Sequence, residues 1–320
     1  MKTPNWFLKR NITAWFLLPL SVIYMLGYFF AYFFRLFSQK SSKIPVICIG
    51  GILAGGVGKT PIVKEIAKKL PNSAVVMRGY GAKSVENVKV KKSDTATQVG
   101  DEARMLNNAG LPVFIGKNRL FSIQKAEKDG AAQVIMDDGF QNPSVKKDVS
   151  VLVFDENIGV GNGFMLPAGP LREPLHYGIR RADALIIIGN KGAESKIIKI
   201  AKKYKKPVFY AKSQAIDIGL VGNVVAFAGI GYPQKFFNSV AGFDQRNVTR
   251  LTTVPFPDHH NFSGDELRRL ENVVGKRKAM LITTEKDWVR LSKDWQKKVR
   301  YVPLETTIEP EFWKWLKEKL

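Results

Sequence analysis

The run VICIGGILAGGVGKTP, Val46 to Pro61, constrains the fold more than any other part of the 320-residue chain. A short apolar, β-branched run ends in glycines, and a helix-forming stretch follows GKT. Glycines let backbone N–H groups converge on phosphate oxygens, and the amino terminus of the next helix adds positive potential. Leu53, Ala54, Gly55, Gly56, Val57, Gly58, Lys59 and Thr60 are therefore the candidate phosphate loop for ATP. Lys59 is placed to reach the outer phosphates and Thr60 to ligate Mg2+. The strict pattern wants Gly where Leu53 stands.

Beyond this loop, β-branched runs alternate with helix-like stretches. Strands are expected at Val46 to Gly50, Ala74 to Met77, Val113 to Ile115, Val134 to Asp137, Val149 to Phe154, Ala184 to Ile188 and Val208 to Tyr210. The alternation predicts an α/β fold, a P-loop NTPase-like, doubly wound and mostly parallel sheet. Apolar periodicity weakens around 213 to 222, and a second strand and helix series follows, with a strand at Lys278 to Thr283 and a helix near 309 to 320. The expected division is a membrane anchor over 1–43, a nucleotide-binding domain over 44–215 and a smaller α/β domain over 216–320.

Ile12 to Phe34 is a run of 23 residues without a charge, bracketed by Lys9 and Arg10 before it and Arg35 and Lys40 after it. As a helix it would extend about 35 Å, enough for a hydrocarbon core of about 30 Å. It is too long for the apolar region of a signal peptide and has no small-x-small cleavage site. Because it is apolar on every face and rich in aromatics, a membrane-spanning or deeply inserted helix is expected. Pro19 and Gly27 leave room for a kink. A nucleotide site places the residues after about 40 on the cytoplasmic side.

Fifty Lys and Arg stand against 28 Asp and Glu, a net charge of +22. Eight of those basic residues precede the first acid, Glu65. Such an excess favours acidic partners without choosing among nucleic acid, anionic lipid and phosphorylated small molecules. No recognisable RNA- or DNA-binding motif is present. The single cysteine, Cys48, permits no internal disulfide, and with three histidines a dedicated zinc cage is not expected.

In VIMDDGFQN, Asp137 and Asp138 fall at the carboxyl end of a buried strand, where an acid holding Mg2+ opposite the loop threonine belongs. Guanine specificity has no visible basis: Phe140 stands where DxxG needs Gly, and Asn190 and Lys191 lack the acid two places on. Asp101 and Glu102 open a helix-like stretch, where acids simply complement the helix dipole. The pair His259 and His260 follows two prolines in a loop and is as compatible with a structural role as with a catalytic one.

Taken together, the ordered motifs resemble the lipid A 4′-kinase family nearly end to end. They are an amino-terminal membrane helix, IGGILAGGVGKTP, RGYG at Arg78 to Gly81, VGDEARML at Val99 to Leu106, DDGFQNP at Asp137 to Pro143, and LPAGPLREPL at Leu166 to Leu175. RRADALI at Arg180 to Ile186, FAGIGYPQKFF at Phe227 to Phe237, PDHHNFS at Pro257 to Ser263 and TTEKDWVRL at Thr283 to Leu291 complete the series. The family's own loop is a variant at the position of Leu53.

The resemblance implies an inner-membrane bacterial kinase with its catalytic domains on the cytoplasmic face. It would move the γ-phosphate of ATP to the 4′-hydroxyl of tetraacyldisaccharide 1-phosphate, forming lipid IVA. Its partners would be that acidic glycolipid and membrane lipid, with no nucleic acid and no inferable protein partner. The resemblance also maps a dyad near the acceptor hydroxyl onto Asp101 and His259, and ties Asp137 and Asp138, with Lys59, to Mg2+ and phosphoryl transfer. Arg78, Glu102 and Arg172 are candidate contacts for substrate or anion. Asn142 stands where many family members carry His. The competing reading is a membrane-tethered P-loop ATPase switch without a small-molecule acceptor, which gives the GDE and DH motifs no reason to pair.

Overall fold

The computed structural model describes residues 4–82, 88–190, 195–273 and 279–320. Lys191 and Lys278, which the sequence reading used, lie outside them. The strands in chain order are β1 Val46–Gly50, β2 Ser73–Met77, β3 Val88–Lys89, β4 Val113–Ile115, β5 Gln133–Asp137, β6 Val149–Asp155 and β7 Ala184–Ile188. β8 Val208–Ala215, β9 Gly222–Ala228, β10 Val248–Pro255, β11 Met280–Thr284, β12 Arg300–Val302 and β13 Leu304–Ile308 follow.

A nine-stranded sheet has the order β13-β8-β7-β6-β1-β5-β2-β4-β3, and a four-stranded sheet has the order β10-β9-β11-β12. The second sheet is parallel throughout, and the first is parallel except at its two outermost pairs, β3 with β4 and β13 with β8. The central strands β1, β2, β6 and β7 are buried at every position, as expected where helices cover both faces. Alternate residues feed the two cores: Ile47, Ile49 and Ile135 on one side, Val46, Cys48 and Val134 on the other. Each such aliphatic side chain contributes about 1.5–3 kcal/mol when fully buried. Cys48 is one of these small core groups, and burial pushes its thiol up to about 11. The register of β1 on β5 sets Asp137 opposite Ile49, at the mouth of the phosphate loop.

One strand is longer than expected, and the carboxyl end departs from the expected division. β8 runs past Tyr210 to Ala215 and is partly exposed in its second half, where its pairing with β7 has ended and β13 alone flanks it. The carboxyl end does not stay with the second sheet. β13 pairs antiparallel with β8, and the helix Pro310–Lys319 sends Phe312 and Leu316 into the first core. The second sheet is thus an insertion between two adjacent strands of the first. The apolar periodicity of the last helix marks it as buried but carries no information about which sheet receives it.

At the amino end a short helix, Ile12–Phe16, is followed by the long helix Leu18–Phe37, with the break beside Pro19. Among the described residues this is the one helix long and apolar enough to cross a membrane. One of its sides is tied to the body: Ser21 Oγ donates to Met165 O, Tyr24 Oη to Arg172 O and Tyr28 Oη to Glu173, and Arg181 donates to Tyr32 Oη. The other side exposes Leu20, Ile23, Leu26, Phe30, Phe33, Phe34 and Phe37. An apolar face of this size marks an interaction surface.

Candidate active site

The phosphate loop joins β1 to the helix Lys59–Lys69. Gly58 caps that helix at φ +78°, and a Cβ there would sit 2.6 Å from Ile188 Cδ1, so the turn into Lys59 requires glycine. Leu53 is 1% exposed and lies in the core with Leu171 and Phe140. Ala54 N donates to Pro170 O and Arg172 N to Ile52 O, both at 2.7 Å. The first half of the loop is therefore laid against the LREP segment, and the departure from the strict glycine pattern fills a hole in the core. Thr60 is buried at the second position of the helix.

Asp137 closes β5, 3% exposed, and neither carboxylate oxygen has a hydrogen-bond partner among the described residues. Burial, followed by the charge of Glu102, pushes this carboxyl well above the usual range. A buried carboxylate without donors is costly unless a cation joins it, so this position and Thr60 fit a divalent ion. Asp138 has a left-handed backbone, φ +53°. It meets Lys59 Nζ at 3.4 Å and both its oxygens accept from Arg172 Nη1. Burial raises its carboxyl, but Lys59 and Arg172 outweigh that and hold it low.

Asp101 opens the helix Asp101–Asn108 from the first sheet, whereas His259 lies in the loop after β10 of the second. His259 Nδ1 is 3.0 Å from Asp101 Oδ2. Gly100, just before Asp101, packs against the RGYG turn: at φ +92° it carries no Cβ, which would stand 2.5 Å from Tyr80 O. Burial raises the Asp101 carboxyl, but hydrogen bonds from His259 and Arg290 and the charges of Arg290 and Lys286 hold it below its ordinary value. His260 instead stacks on Phe256 and meets Glu266 at 3.1 Å, a structural role.

The structure thus brings Asp101 to His259, and Lys59 and Arg172 to Asp138. Glu102 faces Lys286 at 3.7 Å, and its charge is felt at Asp137. Arg78 is exposed just beyond β2, while the Asn142 side chain accepts from Ser144 N within its turn. Three residues went unmarked in the sequence reading. Arg119 is buried near both acids of DDGF, and burial, then the Arg78 charge, pushes it down to about 10. Glu173 is fully buried beside Arg172 and accepts from Tyr28, Gln141 and Arg181. Arg290, in TTEKDWVRL, contacts Asp101 directly. Glu173 stands next to Arg172 in LREP and Arg290 lies within TTEKDWVRL, but nothing in local spacing distinguishes either arginine, Arg119 or Arg290, from a surface cation.

The family model described as tetraacyldisaccharide-1-P 4′-kinase matches residues 13–320. The tetraacyldisaccharide 4′-kinase of Jannaschia sp. is 36% identical, with 97% of this chain and 95% of that protein covered. That of Paramagnetospirillum magneticum is 38% identical over 93% of this chain and 92% of its own. Among solved structures, LpxK from Aquifex aeolicus, crystallised in complex with ATP, superposes with a TM-score of 0.75. It is 24% identical, covering 96% of this chain and 98% of that one, and shares the fold. The chain belongs to the tetraacyldisaccharide 1-phosphate 4′-kinase family.

Proposed function

We propose that this chain transfers the γ-phosphate of ATP to the 4′-hydroxyl of tetraacyldisaccharide 1-phosphate, producing lipid IVA at the cytoplasmic face of the inner membrane. Family membership gives the reaction, and the meeting of Asp101 with His259 across the two sheets carries the reading of the mechanism. Phosphoryl transfer is mainly positioning and charge stabilisation, plus one base for the acceptor proton. The amides of 53–60 and Lys59 receive the phosphates, with Arg172 and Arg78 as further anion contacts. Thr60 and Asp137 would hold Mg2+, which when bound would supply positive charge against the charge that develops on the transferring phosphate.

His259 acts as the base. Asp101, held low, is a poor proton acceptor but a good partner for an imidazole N–H. With Nδ1–H donated to Asp101, Nε2 is left to take the 4′-hydroxyl proton. The side chain of His259 is 43% exposed, so a substrate can reach it. Asp138, through its contacts with Lys59 and Arg172, orients both cations toward the γ-phosphate. Glu102, through its Lys286 contact, holds the start of the Asp101 helix.

The acyl chains remain in the bilayer while the headgroup reaches the loop. The exposed side of Leu18–Phe37 and the uncompensated basic residues before Glu65 suit attachment to an anionic leaflet. The test is whether ATP turnover in detergent micelles depends on the glycolipid and yields labelled bisphosphorylated product. Turnover without labelling of the lipid would make this chain an ATPase switch.

A further inference from the structure

Arg290 lies at the end of TTEKDWVRL and is 4% exposed. Its Nε donates to Asp101 Oδ2 at 2.7 Å, the same oxygen that faces His259 Nδ1. Its Nη1 donates to Gly229 O at 3.1 Å and to Asp287 Oδ1 at 2.8 Å. Gly229 O also accepts the backbone N–H of His259, at 3.1 Å. Asp287 in turn accepts from Gly229 N at 3.0 Å and from Thr284 Oγ1 at 2.7 Å. A closed circuit results: the guanidinium grips the histidine's backbone through one carbonyl and its imidazole through one carboxylate. His259 needs such a grip, because its φ of +59° is a conformation that non-glycine residues rarely hold unsupported.

We propose that Arg290 is the positioning residue of the dyad, fixing Asp101 and His259 against each other across the two sheets and drawing part of the Asp101 charge away from the imidazole. The proposal rests on the base role of His259. The other groups facing the pair are Lys286 beside Asp101, Asp258 at 4.0 Å from His259 Nε2, Glu102 next in the helix and the Tyr80 ring at 6.1 Å from that of His259. None of them is hydrogen-bonded to Asp101 and also, through a shared carbonyl, to the backbone of His259, as Arg290 is. A lysine cannot replace it fully, since an ammonium lacks the planar fork that serves three acceptors at once.

The experiment compares wild type with Arg290→Gln and Arg290→Lys in the full chain, in micelles. One readout is the pH dependence of kcat/KM, and the other is an NMR titration of His259 with 13C-labelled histidine, feasible because the chain has three histidines. In Arg290→Gln the full Asp101 charge falls on the imidazole and favours its protonated form. The acid limb and the His259 midpoint should both move up by about one pH unit, within the range expected for a charge this close. The same variant should lose about a hundredfold in kcat, with KM for ATP changed less than about threefold. Arg290→Lys should keep the wild-type limb and recover about tenfold of that loss. If Arg290→Gln does not fold, Arg290→Lys decides: full wild-type kcat would show that the fork does nothing. An unmoved His259 midpoint in a folded Arg290→Gln would overturn the proposal. Wild-type kcat in His259→Ala would remove the base reading, while the His259 titrations would still judge Arg290 separately.

Discussion

His259 Nδ1 lies 3.0 Å from Asp101 Oδ2 although 158 residues separate them and they come from different sheets. Asp101 is held below its ordinary value by the hydrogen bonds and charges of His259, Arg290 and Lys286, which outweigh its burial. Asp101→Asn removes the acceptor that orients the imidazole and should lower kcat by about 10²- to 10⁴-fold. Steady-state assay at fixed saturating ATP checks this. The sign for stability follows from the same shift. A depressed carboxyl stabilises the folded chain fully above the unfolded value, and that contribution is lost as pH falls through the lower folded value. Acid melts of Asp101→Asn should therefore lack the part of the loss below about pH 4 that belongs to this group.

Asp137 presents the opposite sign. Its carboxyl is raised, so its cost to the folded chain grows as pH rises above the unfolded value. Asp137→Asn should abolish kinase activity yet stabilise the metal-free chain by about 1 kcal/mol at neutral pH, a trade seen where a site is built for a missing charge. Thermal melts in chelator and then in Mg2+ test it: the ion should stabilise wild type and leave the variant unchanged.

Leu53 shows how a motif can be misread in the direction of its consensus. Leu53→Gly restores the strict loop pattern but empties a position that is 1% exposed. The expected result is a loss of about 3 kcal/mol in denaturant melts and no gain in ATP affinity.

The outer face of Leu18–Phe37 touches little of the protein, with Phe30, Phe34 and Phe37 at 68%, 59% and 76% exposure. Replacing these three with Ser should lower binding to anionic vesicles at least about a hundredfold while the melting temperature stays within about 2 °C. Vesicle flotation of the variant beside wild type reads the first, and unchanged flotation would detach this face from the membrane.

The architecture was legible wherever the chain speaks locally. β1 and its glycine loop, the acids ending β5 and the continuous apolar runs of β6 and β7 are fixed by near neighbours, and the sequence reading located each within a residue or two. β13 has no expected counterpart, and the last helix is expected with the second series, because their partners, Ala211 and Phe209, lie about a hundred residues upstream. The uncharged amino-terminal run hid a polar edge: Ser21, Tyr24, Tyr28 and Tyr32 count as apolar or neutral in sequence, yet each makes a hydrogen bond to the body. Arg290 was invisible for a related reason. Its chemistry exists only once two sheets bring Asp101, Gly229 and Asp287 around it.

The most direct measurement is transfer of labelled γ-phosphate from ATP to tetraacyldisaccharide 1-phosphate in micelles, by wild type, Lys59→Ala, Asp101→Ala and His259→Ala. Wild type should give labelled bisphosphorylated lipid and each variant should lose about a hundredfold or more, with ATP binding preserved in Asp101→Ala and His259→Ala. A folded, ATP-binding wild type that leaves the glycolipid unlabelled, or a His259→Ala variant as fast as wild type, would contradict the proposed function.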